Sequence, residues 1–307
     1  MKKVAFIFPG QGAQYAGMGK DFYEELAVSK KVYDLASKVS GLNVAELCFT
    51  KNDQLNITEY TQIAMLATCV AMLEALKERG VSSSVHAGLS LGEYSALVAS
   101  KALSLEDGFH LVRQRGIYMK EAVPTGGAMS AVLGMDTKRI EEICNETEGI
   151  VSIANFNCPG QIVITGEIEA VEKASTSLKE AGARRIVPLH VSGPFHSKML
   201  ETAGERLKED LEKIRIHPLR VPYVSNVTAE YIMDEGKIKE LLTRQVSSSV
   251  RWQQSVETMI KAGVTTFIEI GPGKTLAGFM KKIDKNVTTL NIEKTEDLDT
   301  VCRAIKE

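Results

Sequence analysis

The stretch Ser84-Val85-His86-Ala87-Gly88-Leu89-Ser90-Leu91-Gly92-Glu93-Tyr94-Ser95-Ala96 sets the architecture of this chain. A strand-like run, Ser84 to Ala87, enters a turn with glycine two residues before and two after Ser90, and a helical pattern, Tyr94 to Ala99, leaves it. Gly-x-Ser-x-Gly between a strand and a helix is the nucleophile-elbow arrangement. Such a turn is tight and strained, so the residues flanking the serine must be minimal for the backbone to pass and for the hydroxyl to stand exposed. The helix that follows aims its free N–H groups back at the turn, which makes the N–H of Leu91 a candidate donor to a developing oxyanion. The same pentapeptide also occurs as an ordinary strand–helix turn with a capping serine. The strand before and the helix after favour the nucleophile.

Upstream, Val4-Ala5-Phe6-Ile7-Phe8 is a continuous apolar run suited to a strand buried on both faces. The loop Pro9-Gly10-Gln11-Gly12-Ala13-Gln14 follows it. A dinucleotide fingerprint needs a third glycine where Tyr15 stands and a second strand soon after, whereas Asp21 to Val39 reads as helix. The loop's other use is to bring backbone N–H groups close to a reacting oxygen. Thr58 to Arg79 is a long helical pattern closed by Gly80, and its Gln62 either is solvated or faces a cleft. Ser104-Leu105-Glu106-Asp107 is a capping box opening a helix that carries Arg113, Arg115 and Tyr118.

Downstream of Pro124-Thr125-Gly126-Gly127 the texture changes. Strand patterns at Met129–Leu133, Ile150–Phe156, Gln161–Thr165 and Arg184–His190 are interleaved with helical ones at Thr137–Glu146 and Ile168–Ala181, with a turn at Asn157-Cys158-Pro159-Gly160. That order, βαββαβ, is the ferredoxin-like unit. It predicts a small domain, 126–192, inserted in a discontinuous larger one, 1–125 and 193–307. The larger domain resumes at Pro194-Phe195-His196-Ser197 with a helix to about Ile214, a strand at Val221–Ser225, helices at Ile238–Val246 and Trp252–Lys261, and a strand at Thr265–Ile270 ended by Gly271-Pro272-Gly273. Strands alternating with helices imply an α/β fold with a parallel sheet covered on both faces.

Composition agrees with a globular protein: 307 residues, 44% hydrophobic and 25% charged. A net charge of -2 offers no basic field for nucleic acid. Cys48, Cys69, Cys144, Cys158 and Cys302 are scattered and never spaced as Cys-x-x-Cys, which reads as reduced thiols. The apolar run at the start is cut short by Pro9-Gly10, too early for a signal peptide, and no segment is suited to span a bilayer, so the expected location is cytoplasmic.

A serine needs a base within hydrogen-bond reach. His86 lies within the elbow's strand, His110 in mid-helix, His190 at a strand end and His217 before Pro218. His196 differs: it sits in a Pro-Phe-His-Ser turn at the mouth of a helix, where an inter-domain cleft is expected. Asp107 is spent in a helix cap and Asp136 starts another helix, so a dyad whose histidine is oriented by a neutral oxygen fits better than a triad. Gly273-Lys274-Thr275 echoes a phosphate loop, but Ile268 stands where its upstream glycine is required.

Six segments occur in order: Phe8-Pro9-Gly10-Gln11-Gly12, Gly88-Leu89-Ser90-Leu91-Gly92-Glu93, Arg113-Gln114-Arg115-Gly116, Asn155-Phe156-Asn157-Cys158-Pro159-Gly160-Gln161, Pro194-Phe195-His196-Ser197 and Glu269-Ile270-Gly271-Pro272-Gly273. Together they resemble the malonyl-CoA:acyl carrier protein transacylase family across essentially the whole chain. No one of them is decisive, but the ordered set is specific. The resemblance implies an α/β-hydrolase-like large domain with the ferredoxin-like domain inserted. It also implies ping-pong transfer of a malonyl group from malonyl-CoA to the phosphopantetheine thiol of acyl carrier protein, with no cofactor and no metal.

Carried onto this sequence, the resemblance makes Ser90 the nucleophile and His196 its general base and then acid. The N–H groups of Gln11 and Leu91 form the oxyanion hole, and Arg115 holds the malonyl carboxylate through a two-pronged hydrogen bond that lysine cannot reproduce. Gln245 is the residue whose carbonyl orients His196, and Gln62 and Asn157 lie near the pocket. The expected partners are malonyl-CoA and acyl carrier protein, with no nucleic acid, no membrane and no need for more than a monomer. An acidic carrier would be steered by a basic face, for which Lys179, Arg184, Arg185, Lys198, Lys281 and Lys282 are candidates, though each is also an ordinary solvated charge.

Two positions depart from the family pattern. Leu89 stands where the family usually has histidine, and Ser249 stands where relatives often have proline, which predicts a less rigid loop near Gln245. Phe195 is bulky enough to disfavour an α-methyl on the acyl group. A serine esterase or thioesterase on the same elbow is the alternative; it predicts fast attack by water and no need for Arg115. A non-catalytic carrier-binding homologue is a third reading, against which Ser90 and His196 both speak.

Overall fold

The computed structural model describes residues 3–189, 191 and 193–306. Its strands are β1 Lys3–Phe8, β2 Val85–Gly88, β3 Gly127–Leu133, β4 Val151–Cys158, β5 Gln161–Glu167, β6 Arg185–Pro188, β7 Tyr223–Val224, β8 Tyr231–Ile232, β9 Val264–Ile270 and β10 Thr288–Ile292. They form a six-stranded sheet in the order β10-β9-β1-β2-β7-β8 and a four-stranded sheet in the order β4-β5-β3-β6. In the first sheet every neighbouring pair is parallel except the β7–β8 hairpin. In the second, every pair is antiparallel.

The unbroken apolar run of β1 follows from its central place in the parallel sheet. Side chains alternate across a strand, so Val4, Phe6 and Phe8 enter one core while Ala5 and Ile7 enter another with Val85, Ala87 and Phe267. The first core is filled by the helix Thr58–Glu78, which is buried nearly all round rather than along one stripe, with Arg79 and Gly80 ending it as expected. The antiparallel sheet has its own core under helices Thr137–Glu146 and Ile168–Glu180, from Val132, Ile140, Ile153, Ile164 and Leu178.

Some expectations need correcting. Asp21–Val39 is two helices, Lys20–Glu25 and Ala27–Ser40, because Leu26 takes an extended conformation that no proline or glycine announces. Asn157 and Cys158 belong to β4, and only Pro159 and Gly160 make the turn to β5. The strand expected to end at His190 stops at Pro188, and His190 itself lies outside the described residues. Beyond Gly273 the chain adds the helix Thr275–Ile283, the edge strand β10 and the helix Asp297–Lys306. Among the described residues, no helix is long and apolar enough to cross a membrane.

Candidate active site

The turn after β2 holds Ser90 in the left-handed region, φ 53°. Its flanking glycines are required by contact as well as by strain. A Cβ on Gly88 would lie 1.9 Å from the carbonyl carbon of Gly92, and one on Gly92 would lie 2.2 Å from the carbonyl oxygen of Phe8. One side chain from β7's end clamps the turn. Asn226 Oδ1 accepts from the N–H of Ser90 at 2.6 Å, while its Nδ2 donates to the carbonyl of Gly88 at 2.7 Å. The Pro9–Gln11 loop packs directly on the elbow: a Cβ on Gly10 would meet the carbonyl oxygen of Leu89 at 2.4 Å. Gln11 and Leu91 therefore border the same cavity as Ser90.

His196 arrives from the far end of the chain segment that follows β6, also in the left-handed region at φ 61°. Its Nε2 lies 2.7 Å from Ser90 Oγ. Its Nδ1 faces two backbone carbonyls, Gln245 at 2.9 Å and Ser248 at 3.1 Å. Carbonyls only accept, so the proton belongs on Nδ1 and Nε2 is left to accept from the serine hydroxyl. The ring is 4% exposed. Burial first, and the charge of Arg115 second, lower its pKa to about 4 against the pull of the two carbonyls.

Arg115 projects from the helix Leu105–Ala122 and is 1% exposed. Its Nη1 donates to Gln62 Oε1 at 2.8 Å, and its Nη2 donates to Gln245 Oε1 at 3.0 Å and to Ser90 Oγ at 3.2 Å. Among the described residues no carboxylate pairs with it at salt-bridge distance, and its Nε has no hydrogen-bond partner. Glu93, one residue past Gly92, is wholly buried and accepts from Gln245 Nε2 at 2.7 Å. Burial raises its carboxyl to about 7, while Gln245, the N–H of Asn226 and the charge of Arg115 pull the other way.

Ser90, His196 and Arg115 border a cavity of about 310 Å³ between the two sheets, also lined by Met119, Met129, Val163 and Phe195. Ser90, His196, Gln11, Leu91, Arg115, Gln62 and Asn157 all line it. Gln245 does not; it stands behind the wall as the hub that ties Arg115, Glu93, the carbonyl of Ser90 and His196 together. Gln62 is not solvated but faces the cleft. His86 is structural: it is buried between Ser83 and Ser100 hydroxyls, each 2.7 Å from a ring nitrogen. Asn226 and Ser248 gave no spacing signal, since only the pairing of β2 with β7 and the loop after Gln245 bring them to the elbow. Glu93 stood in the quoted stretch, but nothing local marks what it would meet.

A constrained serine, a tautomer-locked neutral histidine and a buried guanidinium can accept an acyl group on Ser90 and hold an anionic tail beside it. Comparison with known proteins agrees with that chemistry. Residues 5–299 match the acyl transferase domain family. The malonyl CoA-acyl carrier protein transacylase of Bacillus subtilis is 45% identical over 100% of this chain and 98% of its own length. The crystal structure of the Clostridium perfringens malonyl CoA-acyl carrier protein transacylase superposes with a TM-score of 0.95 at 48% identity, covering 99% of this chain and 97% of that one. A malonyl-transacylase solved in complex with its type II PKS acyl-carrier protein superposes with a TM-score of 0.96 at 38% identity, covering 98% and 99%. With matches of this extent around such a site, the chain belongs to the acyl transferase domain family and, within it, to the malonyl CoA-acyl carrier protein transacylases.

Proposed function

We propose that the chain moves a malonyl group from malonyl-CoA to the phosphopantetheine thiol of acyl carrier protein, supplying extender units for fatty acid synthesis. The observation that carries this is the meeting of Ser90 Oγ with His196 Nε2 at 2.7 Å and with the buried Arg115 Nη2 at 3.2 Å. Full-length similarity to transacylases, one of them in complex with its carrier, supports the substrate pair.

In the first half-reaction, Ser90 Oγ attacks the thioester carbonyl as His196 Nε2 takes the hydroxyl proton. The N–H groups of Gln11 and Leu91 stabilise the tetrahedral oxyanion; the N–H of Ser90 is already bound to Asn226 and is not needed. The C–S bond breaks, His196 returns its proton to the CoA sulfur, and malonyl-Ser90 remains. In the second half-reaction His196 takes the proton of the carrier's thiol, the sulfur attacks the ester, and the Ser90 oxygen leaves with that proton. Arg115 holds the malonyl carboxylate throughout, with Gln62 and Asn157 in the wall of the pocket. Transfer is favoured over hydrolysis because Arg115 fixes the acyl group in place for a thiol that the carrier delivers to it.

The fold fits an α/β-hydrolase-like catalytic domain, 1–125 and 193–307, with a ferredoxin-like insert, 126–192. The second sheet's order β4-β5-β3-β6, with helices after β3 and β5, supports the latter. Lys281 and Lys282 end the helix whose Thr275, Leu276 and Phe279 line the cavity, which favours them among the basic residues for meeting an acidic carrier. The protein works as a monomer in the cytoplasm.

Intact-protein mass after mixing with malonyl-CoA, before and after adding holo acyl carrier protein, tests this. The expected result is a malonyl adduct, absent in Ser90→Ala, that passes to the carrier. An adduct lost to water with the carrier unloaded would make the protein a hydrolase, and no adduct at all would sink the proposal.

A further inference from the structure

Glu93 is a buried carboxylate that no step of the acyl transfer uses. It sits in the first turn of the helix Gly92–Ala99, and its Oε2 meets Gln245 Nε2 at 2.7 Å. The same Nε2 donates to the carbonyl of Ser90 at 2.9 Å, and the other end of that amide, Oε1, accepts from Arg115 at 3.0 Å. The two ends of a glutamine amide are nearly equal in size, so its orientation is chosen by the hydrogen-bonding sense of its neighbours. Here one end faces two acceptors and the other faces a guanidinium, which only donates. A flipped amide would set N–H against N–H beside Arg115 and oxygen against oxygen beside Glu93.

We infer that Glu93 is a positioning residue: it locks the side-chain amide of Gln245 in the orientation that presents oxygen to Arg115, and so holds the guanidinium ready for a dicarboxylic acyl group. The inference rests on the malonyl-transfer reading. Arg115 has its two Nη atoms steered by amide oxygens, Gln62 on one side and Gln245 on the other. Once Glu93 is gone, the carbonyl of Ser90 on one end and the guanidinium of Arg115 on the other are left to oppose a flip of Gln245. Glu93 Oε1 has no hydrogen-bond partner among the described residues, so a proton carried there leaves Oε2 an acceptor and the lock intact.

The test is a double-mutant cycle on selectivity. Acylation of Ser90 by malonyl-CoA and by acetyl-CoA is timed by quenched intact-protein mass in the wild type, Glu93→Gln, Gln245→Ala and the double variant, with thermal unfolding alongside. Glutamine at 93 carries one oxygen and one N–H end, and the N–H of Asn226, 3.4 Å away, favours turning the oxygen to Gln245, so it enforces that orientation, but more weakly than a carboxylate. Glu93→Gln is expected to lower the malonyl-to-acetyl rate ratio about tenfold, and to do so far less in the Gln245→Ala background. A purely structural role would slow both acyl donors alike, in proportion to the folded fraction. An unchanged ratio, or an equal drop in both backgrounds, overturns the inference. If Glu93→Gln does not fold, Glu93→Asp, which keeps the charge on a shorter arm, takes its place with the same expected fall in ratio and the same overturning result. A wild type that takes up no malonyl group removes the underlying reading and this inference with it, whereas a loading wild type with unaltered variants removes only the inference.

Discussion

Removing the imidazole of His196 from water penalises its charged form, and the guanidinium of Arg115 penalises it further, so the ring titrates at about 4 instead of its ordinary 6.5. Two consequences follow at this scale. For activity, the base remains neutral down to mildly acid pH, and the acid limb of kcat/KM for serine acylation is expected near 4. Arg115→Ala removes the second cause of the shift, so the limb should move upward; acetyl-CoA as donor allows the measurement without the malonyl contact. A limb that stays or falls would count against the charge of Arg115 acting on His196. For stability, the unfolded chain binds a proton on His196 between about 6.5 and 4 that the folded chain does not. The contribution of the neutral buried ring is therefore complete above 6.5 and is lost as pH falls through that window.

The elbow and the turn after β9 show how single elements prepare the site. Between β2 and its helix, Gly88 and Gly92 let the chain double back on itself and on Phe8. Gly92→Ala should destabilise the protein by about 2 kcal/mol or more, because a Cβ there would meet backbone, which cannot swing aside as a side chain can. Urea unfolding measures it, and an unchanged midpoint would refute the close approach. After β9, Glu269 accepts from the N–H groups of Leu276 and Ala277 at 3.0 and 2.8 Å. The helix N-terminus that a phosphate loop would offer at Gly273-Lys274-Thr275 is thus already occupied by a carboxylate of the same chain, the physical counterpart of the missing glycine at Ile268. The Glu269-Ile270-Gly271-Pro272-Gly273 segment is a device that seats a cavity-lining helix. At Gly271, φ 148°, a Cβ would press on Pro9 Cγ at 2.6 Å, so the same turn also backs the Pro9–Gln11 loop.

At the scale of the molecule, the two sheets meet where the site needs them joined. The N–H of Val250 donates to the carbonyl of Ala154 at 2.8 Å, and the N–H of Phe156 donates to the carbonyl of Val250 at 2.9 Å. This extends the edge of β4 onto the segment that carries Gln245 and Ser248, the two carbonyls behind His196. Ser249 lies inside this seam and its hydroxyl donates to the carbonyl of Ile153 at 2.6 Å. The loop expected to be loosened by the lack of proline is instead tied to the neighbouring sheet by the serine that replaces it. Ser249→Ala should cost about 1 kcal/mol, and hydrogen exchange at Val250 and Phe156 should accelerate. Exchange unaltered at both amides would show that the hydroxyl does not hold the seam.

Features that depend on neighbours along the chain were legible before any folding. The glycine spacing around Ser90 dictated a strained turn, the apolar run of β1 dictated a doubly covered strand, and the βαββαβ order dictated a second sheet, because each is a matter of backbone sterics or periodicity over a few residues. The sequence also marked Ser90 and His196 by the turns they occupy, while Arg115 and Gln11 stood out only in the ordered set of motifs and Gln245 only through the family resemblance. How these groups act on one another depends on contacts made across the folded chain. Asn226 reaches the elbow because β7 pairs with β2, and Gln245 reaches Glu93 across 152 positions of chain. The carbonyl of Ser248 reaches His196 because the Val250 seam fixes its loop. Hydrogen-bond partners so far apart leave no period or spacing in a sequence. What selects them is the cost of leaving a buried polar group without a partner, and that cost exists only once the chain has closed around it.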